Sequence, residues 1–171
     1  GPGGAHAHGD MAFTTWLDPQ LAMQQASAIR DAFSTQWKEH AAEFDSGFQA
    51  LEKDLLALDA ELEKVFSRFY NQPLLGSHPV YQYLTRRYNL NMESVHWEPD
   101  AAPDAKMWLE LDDILEAHPS TLMLWEGDPL PETTAKLAEK GIQCIVFDPC
   151  GNRPAKGDYL SVMQANIQGL E

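Results

Sequence analysis

Apolar residues recur through the first half of the chain at alternating steps of four and three: Phe44, Phe48, Leu51, Leu55, Leu58, Leu62 and Phe66. Such steps stack side chains on one face of an α-helix, so the spacing predicts a long helix from Lys38 to Tyr70, with no proline inside it. The same spacing would serve a coiled coil, but it lasts only about four heptads and globular sequence follows, which makes packing against the next domain the better use. An earlier helix, over residues 18–35, is marked by Asp18 as N-cap and Pro19 at the first helical position. Leu21, Ile29 and Phe33 fall on or near one of its faces.

From Pro73 onward, short apolar runs alternate with helical stretches, the pattern of parallel strands joined by crossover helices. Leu74 to Gly76 reads as a strand leading into a helix from Val80 to Tyr88. An extended piece from Ser94 to Trp97 precedes a helix from Lys106 to Ala117 with Met107, Leu111, Ile114 and Leu115 on one side. Thr121 to Trp125 reads as a buried strand, followed by a helix started by Pro131 and stopped by Gly141. Ile142 to Phe147 is the last strand. Asp158 then caps a closing helix in which Leu160, Met163, Ile167 and Leu170 share a face. The pattern predicts an α/β lobe with a four-stranded parallel sheet flanked by helices, preceded by a long connecting helix. Three parts are expected: a Gly- and His-rich flexible tail over residues 1–15, a helical segment over 16–70 and the lobe over 71–171.

Composition narrows the partners. With 26 acidic against 12 basic residues the formal charge is −14, which disfavours nucleic acid, since phosphate binding rests on Lys and Arg. Acidic surfaces raise the local concentration of cations, so the charge permits a metal role without showing one. No apolar run is long enough to span a membrane, and no leader pattern stands at the start, where Gly1-Pro2 reads as a protease remnant. Cys144 and Cys150 lack the spacing of a redox or zinc-ribbon pair, which leaves both a disulfide and two separate thiols open.

In an open parallel sheet, ligands bind beyond the carboxyl ends of the strands. That rule selects His78 after the first strand, Trp125 to Asp128 after the third and Asp148 after the fourth. A lone histidine before a helix is usually a cap, and an Asp before proline an ordinary turn residue. Together they supply imidazole and carboxylate at one end of the sheet, donors suited to zinc or manganese. His40, His96 and His118 read as solvated or capping side chains. His6 and His8 form an HxH pair in the tail, a pattern that catches transition metals. No nucleophile–base pair, phosphate loop or paired carboxylates speak for an enzyme.

Four segments in order, WLDPQLAMQQASAIRDAF, LLGSHPVYQYLTRRYNL, LWEGDPLPETTAKLAEKGIQCIVFDPCG and GDYLSVMQANIQGL, resemble the second half of the ZnuA/TroA-type zinc- and manganese-binding proteins of metal-uptake ABC transporters. The resemblance implies half of a two-lobed metal-binding protein, with the 38–70 helix similar to the bridge between lobes. It places His78 at the family's His or Glu ligand and Asp148 at its carboxylate ligand. Thr14 stands where the family carries a histidine, two residues before the WLDP tryptophan, and the first lobe with its histidine ligand has no counterpart. His6 and His8 are similar in position to the family's metal-scavenging loop and are candidate substitutes. The implied function is a periplasmic, or lipid-anchored extracytoplasmic, zinc-binding protein or accessory metal carrier, with manganese as the second metal. Its implied partners are a divalent ion and an ABC permease or another periplasmic metal-binding protein. The competing reading is a lobe without metal, kept as a protein-interaction module.

Overall fold

The computed structural model describes residues 13–171; His6 and His8 and most of the expected tail lie outside them. A single helical turn at Thr15–Leu17 leads into α1, Pro19–Gln36. The Asp18 side chain caps it by accepting from the main-chain N–H groups of Gln20 and Leu21 at 3.0 and 3.4 Å, which satisfies two of the donors that a helix start leaves over. One further turn, Lys38–His40, opens the long helix α2, Ala41–Phe66, and another, Ser67–Phe69, closes it. The remaining elements are β1 (Pro73–Gly76), α3 (Gln82–Tyr88), β2 (Asn91–Ser94), α4 (Ala105–Ala117), β3 (Leu122–Trp125), α5 (Pro131–Glu139), β4 (Gln143–Val146) and α6 (Tyr159–Leu170). The strands form one parallel sheet in the order β2-β1-β3-β4. Among the described residues no helix is long and apolar enough to cross a membrane.

Strand side chains alternate between faces, and here both faces are covered. Leu74, Leu122 and Leu124 pack with α2, α3 and α6 through Leu58, Leu62, Phe66, Leu84, Met163 and Ile167. Leu75, Met123 and Trp125 point to the opposite layer, against Leu111 of α4 and Leu137 of α5. The unbroken LMLW run of β3 is therefore apolar throughout because this central strand, like β1 beside it, is buried on both sides.

Two expectations change. The second strand is Asn91–Ser94, and the expected stretch from Ser94 to Trp97 is its extended continuation, held by main-chain bonds from Val95 to Gly76 and from Trp97 to Ser77. The α2 stripe also divides: only Leu55 onward enters the lobe core. Phe44, Phe48 and Leu51 instead face Ile29 and Phe33 of α1 across a groove of about 300 Å³. Ile29, Phe33, Trp37 and Leu51 stay exposed, because the α1–α2 hairpin runs past the lobe and has no layer to cover it.

A buried carboxylate ties hairpin to lobe. Asp59 of α2 accepts from Arg87 Nε and Nη2 at 3.0 and 2.6 Å, from the Tyr88 hydroxyl at 2.9 Å and from Gln20 of α1 at 3.4 Å. Replacing Asp59 with Ala strands these donors and should cost about 2–4 kcal/mol in urea unfolding. A loss below about 1 kcal/mol, the scale of one ordinary hydrogen bond, would show that the network does not fix the hairpin.

One buried and two half-buried tyrosines, Tyr81 with Tyr88 and Tyr159, set the alkaline limit. Burial raises Tyr81, Tyr88 and Tyr159 above the usual 10.0, helped by Glu126 and Asp148 at Tyr81, by Asp59 at Tyr88, and by Cys150 and Asp18 at Tyr159. The folded chain thus holds these protons more tightly than the unfolded chain. Their contribution to stability should be complete below pH 10 and should fall as pH rises above it. Denaturant unfolding followed by near-ultraviolet tyrosinate absorbance checks this: the three should ionise only as the chain unfolds.

Candidate metal centre

The carboxyl end of the sheet is assembled by the turns after β1 and β4 and one crossing segment. After β1, the Ser77 N–H continues the ladder onto the Leu124 carbonyl at 2.8 Å, and the Val80 N–H closes a tight turn on the His78 carbonyl at 2.8 Å. Gly76 permits this close assembly, since a Cβ there would stand 2.9 Å from Ser94 Oγ and 3.2 Å from the Tyr81 ring. The Tyr81 hydroxyl then donates to the Phe147 carbonyl at 2.8 Å, joining the turn after β1 to the end of β4. Residues 13–17 cross the same end. The Thr14 hydroxyl donates to the Val80 carbonyl at 2.5 Å, the Trp16 indole to the Pro149 carbonyl at 2.7 Å, and the Tyr159 hydroxyl to the Trp16 carbonyl at 2.6 Å.

Asp148 is held by its backbone. Its N–H donates to Asn166 Oδ1 at 3.0 Å and its carbonyl accepts from Asn166 Nδ2 at 2.8 Å, so one buried amide clamps both sides of the residue. Its own Oδ1 accepts from the Cys150 N–H at 2.7 Å, a side-chain turn that supports Cys150 at a left-handed φ of 52°. The Cys150 thiol is pushed up by burial and by Asp148 and Asp158. Both cysteines are unbonded thiols.

His78 is 5% exposed. Its Nδ1 is buried, while Nε2 lies 3.6 Å from Glu98 Oε1 and the ring meets that of His96 edge-on, centroids 5.6 Å apart. Burial and the negative charges of Glu126 and Asp148 raise Tyr81, which puts both carboxylates near its hydroxyl. Acidic groups thus gather where β3 and β4 end.

His78 and Asp148 stand at the same end of the sheet but do not terminate neighbouring strands, because β3 lies between β1 and β4. With strands about 4.8 Å apart, the two positions are separated by about 10 Å across the sheet. Among the described residues, no three His, Cys, Asp or Glu side chains are gathered as placed to hold an ion. Thr14, at the position of the family histidine, is 2% exposed with its hydroxyl committed to Val80. His118 is buried, not solvated, and its Nε2 bonds the Leu74 carbonyl at 2.9 Å; His40 stays exposed beside Glu43. His96, read from the sequence as a solvated or capping side chain, is exposed, and its ring sits against that of His78. The signal that would have found it is strand adjacency, since β1 pairs with β2 in parallel.

Two curated relatives carry zinc in their names. The chain is 25% identical over 162 residues to the zinc-binding protein AdcA of Streptococcus pyogenes serotype M1, covering 91% of this chain and 32% of the relative. It is 26% identical over 138 residues to the high-affinity zinc uptake system protein ZnuA of Brucella abortus strain 2308, covering 80% and 41%. It therefore spans about a third to two fifths of these relatives. The fold matches the Zn(II)-bound ZnuA-like domain of Streptococcus pneumoniae AdcA with a TM-score of 0.83 at 22% identity, covering 99% of this chain and 66% of that one. The metal-dependent lipoprotein YcdH of Bacillus subtilis gives 0.82 at 20% identity, covering 99% and 67%. The family described as ZnuA, zinc-uptake complex component A, periplasmic, matches residues 2–171, and the chain belongs to it.

Proposed function

We propose that the protein binds zinc as cargo in an extracytoplasmic metal-uptake system, with His78 and Asp148 as donors at the carboxyl end of the sheet. The observation that carries this reading is a buried imidazole whose Nε2 lies 3.6 Å from the Glu98 carboxylate at the end of a parallel sheet, in a chain of the ZnuA family. Imidazole and carboxylate are donors that zinc accepts readily, and manganese is the second metal they suit. The relatives named for zinc favour zinc over manganese as the cargo. His6 and His8 are proposed as further donors from the tail. The role is delivery to an ABC permease, directly or through another metal-binding protein, and involves no chemistry on a substrate.

A second reading, an interaction module without metal, draws on the exposed apolar groove between Ile29, Phe33, Phe44 and Phe48. Zinc titration separates the two. The full chain should bind zinc, more weakly than a complete four-donor site, and His78→Ala should lower the affinity by at least about tenfold. Coordination needs neutral imidazole, so the affinity should fall as the pH drops through the acid side of neutrality. Binding that is unchanged by His78→Ala, but lost when His6 and His8 are both replaced by Ala, would move the site to the tail.

A further inference from the structure

We infer that His96 and Glu98, from the segment following β2, join His78 as metal donors in a two-histidine, one-carboxylate site. The inference rests on the zinc-binding reading and deepens it. It assigns the imidazole missing at Thr14 to a different element, and it makes Glu98 the carboxylate nearest the metal.

The placement follows from backbone alternation. Main-chain bonds from Val95 to Gly76 and from Trp97 to Ser77, at 3.0 and 2.7 Å, keep residues 95–97 beside the turn that carries His78. Side chains of an extended segment alternate between faces. Val95 and Trp97 accordingly sink into the layer under α4, while His96 and Glu98 emerge on the exposed side. Burial of Val95 and Trp97, an apolar effect with no metal in it, is what aims the two polar residues at His78.

Distances support a shared ion. Zinc bonds of about 2.0–2.2 Å at tetrahedral angles bring donor atoms to about 3.3 Å from one another. His78 Nε2 and Glu98 Oε1 are already 3.6 Å apart. The His96 ring lies edge-on to His78 with centroids 5.6 Å apart, near the roughly 5 Å that two imidazoles on one tetrahedral zinc require, although no three-donor group is preassembled among the described residues. The residue that must turn is exposed, so its rotation disturbs no core contact. Asp148 is less well placed, two strand positions from β1 and with Oδ1 holding the Cys150 N–H. Two imidazoles and a carboxylate with one position left over are the donors of an open zinc site, suited to cargo that must leave.

The test uses the full chain with His6 and His8 replaced by Ala, so that only the lobe binds, and titrates zinc calorimetrically at neutral pH. His96→Ala and Glu98→Gln should each weaken binding by at least about tenfold, with circular dichroism unchanged because both side chains are exposed. Cobalt(II) bound to the same parent should show the strong visible bands of a four-coordinate site, and His96→Ala should reduce them. If both variants bind zinc as the parent does while His78→Ala does not, the inference is overturned and the metal reading stands. A parent that binds no zinc overturns the inference, with the metal reading moved to the tail if the chain with His6 and His8 intact does bind; no binding by either chain overturns both.

Discussion

The site depends on a carboxylate that never faces it. Asp59 is buried in α2 with Arg87 and Tyr88 of α3 and Gln20 of α1 all donating to it. A buried charge is costly unless it is paired and hydrogen-bonded, so the three helices must meet there in one arrangement. Arg86 and Arg87 also approach Asp18, at 3.6 and 4.0 Å, and Asp18 caps α1. Fixing the start of α1 fixes residues 13–17, which cross the carboxyl end of the sheet and bond both the turn after β1 and the turn after β4. Electrostatics in the helical layer therefore set the geometry of turns on the far side of the helix start.

Those turns are rigid in different ways. Asp148 is clamped through its main chain by Asn166, and its carboxylate is partly spent on Cys150. His78 is fixed by burial, with Nε2 on the side of Glu98. A donor packed into a core keeps its direction at little entropic cost when an ion arrives, whereas exposed partners supply adaptability. The pairing of buried His78 with exposed His96 and Glu98 combines both, and suits an ion that is held and then passed on.

The hairpin beyond the lobe follows a different logic. The α2 stripe is continuous in sequence, but half of it faces the sheet and α6 while the other half faces only α1. Edge-on contacts of Phe33 with Trp37 and Phe44, at 5.3 and 5.5 Å, and Arg30 over the Phe48 ring at 4.5 Å, give that end local cohesion without full burial.

The sequence by itself determined the starts of α1, α5 and α6 and the stop after α5, because caps and breakers act within a few residues: Asp18, Asp158, Pro131 and Gly141 all do what their chemistry requires. It also determined that the sheet is parallel, since strands separated by helices can pair in no other way as readily. Residues 78 and 148 were legible as positions at the carboxyl end for the same reason. Only the tertiary structure decided the strand order, which slips β3 between β1 and β4 and sets β2 beside β1. The choice turns on which apolar faces and crossovers fit together over long separations, and no local pattern records it. That order parts His78 from Asp148 and brings it against His96. Where the α2 stripe leaves the lobe was likewise undecided by the sequence, because an apolar repeat states that a face will be covered and not by what.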